Sequence, residues 1–209
     1  MKTLSRWGRA AAVLAAVLSA GAPPAAALQT AVQVAPLPRD SIYQLAVNLT
    51  DQQGRRLALG DLRGAPVIVS MFYTSCQFVC PLLIDAIQAT EQKLTPAQRE
   101  RVNVLLLSFD PAHDTVAALR KTADERHLDD TRWSLTRTDS ASVRKVAALL
   151  DIQYRALRNG EFNHSTVLLL LDADGRIVAR TSDISKADPV FLKAVRSAAD
   201  GAARRPLRR

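Results

Sequence analysis

Short, nearly unbroken apolar runs alternate along this chain with stretches whose apolar residues recur every three or four positions. Pro66 to Phe72, Val102 to Phe109 and Ser165 to Leu171 are runs of the first kind, rich in Val, Ile and Leu. Such segments read as strands buried on both faces of a sheet. Leu82, Leu83, Ile84, Ile87 and Leu94 recur at helical spacing up to the break at Thr95-Pro96. A second helix carries Val116, Leu119 and Ala123, is capped by Asp114 or Thr115, and runs to about His127. A third carries Val143, Val146, Ala147 and Leu150 behind a cap at Asp139 or Ser140. Asp188-Pro189 opens a last helix, reaching about Asp200. Tyr43 to Leu49 and Arg55 to Leu59 flank a polar turn as a hairpin, and Trp133 to Thr136 is a short strand. Asp172-Ala173-Asp174-Gly175 folds the third apolar strand back onto Arg176 to Thr181.

An N-terminal β-hairpin, alternating strands and helices, a late hairpin and a closing helix predict an α/β domain. Its central, mostly parallel sheet is covered by helices on both faces. The only two cysteines, Cys76 and Cys80, refine this to a thioredoxin-like fold. They stand in a C-x-x-x-C-P turn between the first central strand and a helix, at the strand end where α/β proteins bind ligands. Helix N-terminal amides and the helix dipole favour the thiolate, the form that binds metals and attacks disulfides. Pro81 suits the first helical position, since its missing N–H is one the helix leaves unpaired.

Residues 1–27 read as an export signal. Lys2, Arg6 and Arg9 precede the apolar stretch Ala10 to Ala20, and Ala25-Ala26-Ala27 supplies small residues for cleavage. An uncleaved membrane anchor is the rival reading, although the stretch is shorter than the roughly 20 residues a span needs. Residues 28–40 read as a flexible leader, 41–200 as the domain, and 201–209 as a basic disordered tail. The formal charge of +8 sits mostly outside the domain: three charges lie in the signal and four in Arg204, Arg205, Arg208 and Arg209. The nearly neutral body and the export signal argue against nucleic-acid binding. In an exported protein, here placed in the periplasm, a thiol pair is either a disulfide or a metal site. A bridge closing so short a loop is a poor staple and a serviceable switch.

Of three histidines, His113 and His127 read as solvated surface residues. His164 stands in Phe162-Asn163-His164-Ser165, immediately ahead of the third apolar strand, where thioredoxin-like chains usually carry a cis-proline. Two thiolates and an imidazole form a small, soft donor set. Thiolates select Cu(I), and imidazole serves Cu(I) or Cu(II). Structural zinc would normally take four protein ligands, and the chain has no further thiol. Copper is the better inference.

C-x-x-x-C-P after Phe-Tyr-Thr, Asp110-Pro111-x-x-Asp114-Thr115, and Asn163-His164-Ser165 ahead of Asp-x-Asp-Gly together resemble the Sco/SenC family. The resemblance covers roughly Tyr43 to Ala199. It implies a thioredoxin-fold copper protein serving assembly of the dinuclear copper centre of cytochrome c oxidase. It also implies Cys76, Cys80 and His164 as copper ligands, with Asp110 matching an acidic position near the site. Family members commonly have proline directly after the first cysteine, where this chain has Gln77.

Two functions compete. A copper metallochaperone would pass the ion to a copper-accepting protein, such as a cytochrome c oxidase subunit, and would need a periplasmic thiol reductant. A thiol–disulfide oxidoreductase would reduce the acceptor's cysteines through Cys76 and Cys80, with no need of His164. A peroxide-reducing enzyme on the same fold fits the cysteine pair less well. The chaperone is the reading carried forward. Membrane contact is expected only through the partner or an uncleaved N-terminal anchor.

Overall fold

Both faces of the central strands are covered, as their uninterrupted apolar content requires. A computed structural model describes residues 35–202 of the chain. The expected signal, most of the leader and the arginine tail lie outside the described residues. All six residues of β3 (Val67–Phe72), all six of β4 (Asn103–Ser108) and all four of β8 (Leu168–Leu171) are buried. Successive side chains on a strand point to opposite faces, so burial of every position means both faces are packed.

The main sheet has seven strands. β1 (Asn48–Asp51) and β2 (Arg56–Ala58) form an N-terminal hairpin whose first strand lies later than the expected Tyr43 to Leu49, because Ile42–Gln44 winds into a 3-10 helix behind a Ser41 cap; β1 pairs antiparallel with β5 (Trp133–Arg137). β5, β4 and β3 run parallel to one another at the centre. β8 joins β3 antiparallel, and β9 (Ile177–Thr181) closes that edge. The strand order β2-β1-β5-β4-β3-β8-β9 is the thioredoxin-like arrangement with a hairpin added on one side. A separate two-stranded ribbon, β6 (Tyr154–Ala156) and β7 (Phe162–His164), stands outside this sheet.

The helices are α1 (Val79–Gln92), the short α2 (Pro96–Arg99), α3 (Val116–Glu125), α4 (Ser140–Leu149) and α5 (Pro189–Gly201). Where the sequence offers two caps, the structure selects one. Thr115 caps α3 by accepting the Ala118 N–H at 3.2 Å, and Asp139 caps α4 through the Ala141 and Ser142 N–H groups. Asp188 caps α5 ahead of Pro189. Each hydroxyl or carboxylate satisfies donors that a helix start otherwise leaves unpaired. Among the described residues, no helix is long and apolar enough to cross a membrane.

Two further expectations shift in detail. The third apolar strand begins at Leu168, not Ser165, because Ser165 bonds back to Gln153 at the base of the ribbon. Pro81 is the third residue of α1, not the first. Its missing N–H still falls among the four amides that lack helical partners, so nothing is lost.

Candidate metal centre

The N-terminus of α1 has no conventional cap, and Phe78 at that position makes no side-chain bond to the helix. The sulfur of Cys76 fills the role. It accepts the Cys80 N–H at 3.3 Å, and the nearby amides of Phe78 and Val79 also favour its charged form. A bond from the Cys80 thiol is the largest influence on Cys76, and with those amides it brings the Cys76 thiol down to about 4 against the cost of partial burial. Cys76 is half-buried, and its surroundings favour the thiolate. Cys80 is buried at 3% exposure and shifts the other way, because it donates its S–H to Cys76 and lies away from water. One sulfur therefore carries the charge for both, which is what two thiols sharing a helix terminus should do. Both are free thiols.

The turn that delivers Cys76 is held from the neighbouring strand β4 and the connection that follows it. Thr74 donates its backbone N–H to Asp114 at 3.2 Å and its hydroxyl at 2.5 Å, and Ser108 donates a third bond to the same carboxylate. Asp114 is 1% exposed. Burial, the largest influence, pushes its carboxyl above the ordinary range, and the bonds from Ser108 and Thr74 oppose that rise. Asp110, which the sequence marks as acidic near the site, is also buried, but its carboxylate faces His113 Nδ1 at 2.8 Å. The sequence treats Asp114 as a cap alternative. Only the assignment of the cap to Thr115 frees its carboxylate for the cysteine turn.

His164 ends β7, directly opposite Tyr154 in the ribbon. Strand alternation places it on the same face as Phe162. That face rests on an aromatic floor from the ends of β3 and β4. The His164 ring lies 4.9 Å from Phe109 and 6.1 Å from Tyr73, and Phe162 lies 5.1 Å from Tyr73. Nδ1 of His164 sits 3.3 Å from the Ser165 carbonyl, which can only accept. In the neutral ring Nδ1 therefore carries the proton and Nε2 keeps a lone pair for a ligand.

Tyr73 stands between the two halves. Its ring meets His164, and burial, with the Cys76 sulfur nearby, pushes its hydroxyl up to about 12. The cysteines line a cleft of about 250 Å³ with Tyr73, Thr122, Glu125 and Arg126, whereas His164 lines a separate open groove with Tyr154, Arg155 and Asn163. Among the described residues, no three His, Cys, Asp or Glu side chains converge tightly enough to hold a metal ion. Cys76, Cys80 and His164 reach the same end of the sheet without closing on a common point. Their donor chemistry fits a soft ion. His113 and His127 are exposed. Sequence reasoning gave no place to Tyr73 or Phe109, since their importance lies in contacts across the fold.

The SCO1/SenC family model matches residues 39–199. The bovine mitochondrial SCO2 homologue is 28% identical over 135 residues, covering 61% of this chain and 49% of that protein. The chain thus spans about half the length of that relative. The structure of Bradyrhizobium japonicum ScoI with copper bound superposes with a TM-score of 0.61 at 23% identity, covering 73% of this chain and 96% of that one. BsSco, described as a member of the Sco family of cytochrome c oxidase assembly proteins with a disulfide switch, gives 0.63 at 20% identity, covering 73% and 90%. At these identities the two structures establish a common fold.

Proposed function

The chain belongs to the SCO1/SenC family, and from that premise we propose that it is a periplasmic metallochaperone. It takes up copper through Cys76, Cys80 and His164 and passes it to a copper-accepting protein such as a cytochrome c oxidase subunit. The observation that carries this reading is the pair of sulfurs at the head of α1, with an imidazole whose Nε2 is free on the neighbouring ribbon, its ring meeting Tyr73 just ahead of the cysteine turn. Two sulfurs can hold Cu(I) in a low-coordinate site, and the imidazole adds the further donor that Cu(II) favours. Loading requires Cys80 to release its proton, so copper uptake and proton release are coupled. Phe78, 74% exposed between the cysteines, lies where an acceptor must come close to reach the Cys76 sulfur.

One observation favours a second reading. An accessible thiolate followed by a buried thiol is also the arrangement of an attacking and a resolving cysteine. The oxidoreductase reading uses the same pair and no imidazole.

The experiment is copper titration of reduced and oxidised protein, together with His164→Ala. Reduced protein should bind one copper ion per chain, and oxidised protein should bind none appreciably, because the disulfide removes the charges that hold a soft ion. His164→Ala should weaken Cu(II) binding far more than Cu(I) binding and leave disulfide formation intact. A His164→Ala protein that supported assembly of the acceptor's copper centre as well as the parent would transfer the assignment to the oxidoreductase.

A further inference from the structure

The cysteine cleft has charged walls that neither reading above uses. Phe72 and Ile84 give it an apolar lining, Cys76 and Cys80 line it at the head of α1, and the end of α3 contributes Glu125 and Arg126. The Arg126 guanidinium is anchored: its Nη2 donates to the Pro81 carbonyl at 2.9 Å and pairs with Asp85. Gln88 donates to the Arg126 carbonyl at 3.1 Å, so backbone and side chain are both held against α1. Among the described residues, the Nε and Nη1 groups have no bonded partner. Glu125 is tied to Lys121 at 3.8 Å on the surface, a pair of little strength. The cleft holds about 250 Å³, below the roughly 300–1,000 Å³ of sites for drug-sized ligands. Its size suits a ligand no larger than an amino acid. A fixed guanidinium fork takes a carboxylate, a glutamate takes an ammonium, and a cysteine takes a sulfur.

We propose that this cleft binds a small zwitterionic thiol of the cysteine class, and its disulfide, with Arg126 receiving the carboxylate, Glu125 the ammonium and Cys76 the sulfur. The cysteine pair then exchanges electrons directly with low-molecular-weight thiols. In the oxidising direction the Cys76 thiolate attacks one sulfur of the bound disulfide. The ligand's S–S bond breaks, one half leaves as a thiolate, and the other half stays on Cys76 as a mixed disulfide. Cys80 gives its proton to solvent, attacks the Cys76 sulfur and expels the second half. Two protein thiols are oxidised, and one disulfide is reduced to two thiols; reduction of the protein is the same sequence reversed. The half-exposed Cys76 and the buried Cys80 suit the attacking and the resolving role. This inference rests on the thiol pair common to both readings above and not on copper.

The test uses the full chain, reduced and metal-free, with four disulfides. Cystine carries both charges, cystamine the ammonium alone, dithiodiglycolate the carboxylate alone, and bis(2-hydroxyethyl) disulfide neither. Each rate of Cys76–Cys80 disulfide formation is divided by the rate at which the same reagent oxidises a free small dithiol, which removes differences between leaving groups. So normalised, cystine should react about tenfold faster than the uncharged reagent, the scale of one hydrogen bond to a charged group. Arg126→Gln should slow cystine and dithiodiglycolate and leave cystamine and the uncharged reagent unchanged. Glu125→Gln should slow cystine and cystamine and spare the other two. Asp85→Asn should keep the preference for cystine, since it removes one partner of Arg126 and not the guanidinium. Equal normalised rates for all four reagents overturn the proposal. So does a loss in Asp85→Asn that matches Arg126→Gln, which would make Arg126 a brace for α1. Failure of even the uncharged reagent to form the disulfide would sink the oxidoreductase reading together with the proposal, and copper titration would then judge the chaperone alone.

Discussion

Asp114 accepts both the backbone N–H and the hydroxyl of Thr74, a residue 40 positions away and two ahead of Cys76. The β4–α3 connection thus fixes the path by which the chain enters the cysteine turn. The carboxylate is buried and carries a raised pKa, so it holds the turn at some cost while ionised.

That cost makes stability depend on pH in a defined direction. The folded value of Asp114 lies above the unfolded value of about 4, so folding favours the protonated acid. Its contribution is complete below the unfolded value and is lost as pH rises through the folded one. Asp114→Asn does not titrate at this position. Urea denaturation across a pH series should therefore show the parent losing stability relative to Asp114→Asn as pH climbs from about 4. A relative stability that rose over that interval would contradict the burial-dominated shift.

Glu91 fastens the far end of α1 to β5. One carboxylate oxygen accepts the Trp133 indole N–H at 3.1 Å and the other pairs with Arg132, and both Glu91 and Arg132 are largely buried. Glu91→Ala would leave the buried indole N–H without its acceptor and the Arg132 guanidinium with one carboxylate, Asp129, in place of two. A loss of about 3–5 kcal/mol is expected, read from urea unfolding followed by tryptophan fluorescence. A loss below about 1 kcal/mol would put the pair in the class of exposed salt bridges.

Gly175 combines two constraints that Gly54 separates. Both have positive φ, at +83° and +79°. A Cβ at Gly175 would stand 2.5 Å from the Tyr43 ring, whereas at Gly54 the nearest atom is 3.9 Å away. Gly54→Ala should cost about 1–2 kcal/mol for backbone strain alone. Gly175→Ala should cost about 1–3 kcal/mol more for overpacking. Thermal melts showing equal losses would mean that Tyr43 moves aside freely.

His127 ends α3 in the left-handed region at φ 50°, with the Leu128 N–H bonded back to the Ala123 carbonyl at 3.0 Å. The geometry is the one glycine adopts most readily after a helix. His127→Gly should raise the melting temperature by about 1–3 °C, the scale of a gain of several tenths of a kcal/mol in a domain of this size. A lower melting temperature would show that the added freedom of the unfolded chain outweighs the relief of strain.

Much of the scaffold was legible in the chain because it depends on local pattern. The runs at Val67–Phe72 and Asn103–Ser108 are apolar at nearly every position, and only a strand covered on both faces buries them all. The cysteine turn was legible because its strand and helix flank it directly. The ribbon was not: its three-residue strands are largely exposed, so no periodicity marks them, and in the sequence His164 stands merely ahead of the next strand. Capping rules accept Asp114 and Thr115 equally, and the choice came from Ser108 and Thr74, which only folding brings to that carboxylate. The meeting of Tyr73, Phe109 and His164 likewise joins three distant segments. Residue types and spacing along one element determined which donor atoms this protein possesses. Packing between elements decided which sulfur bears the charge, what holds its turn, and on what surface the imidazole rests. Those properties depend on burial and on partners far away in sequence, and neither is written in local pattern.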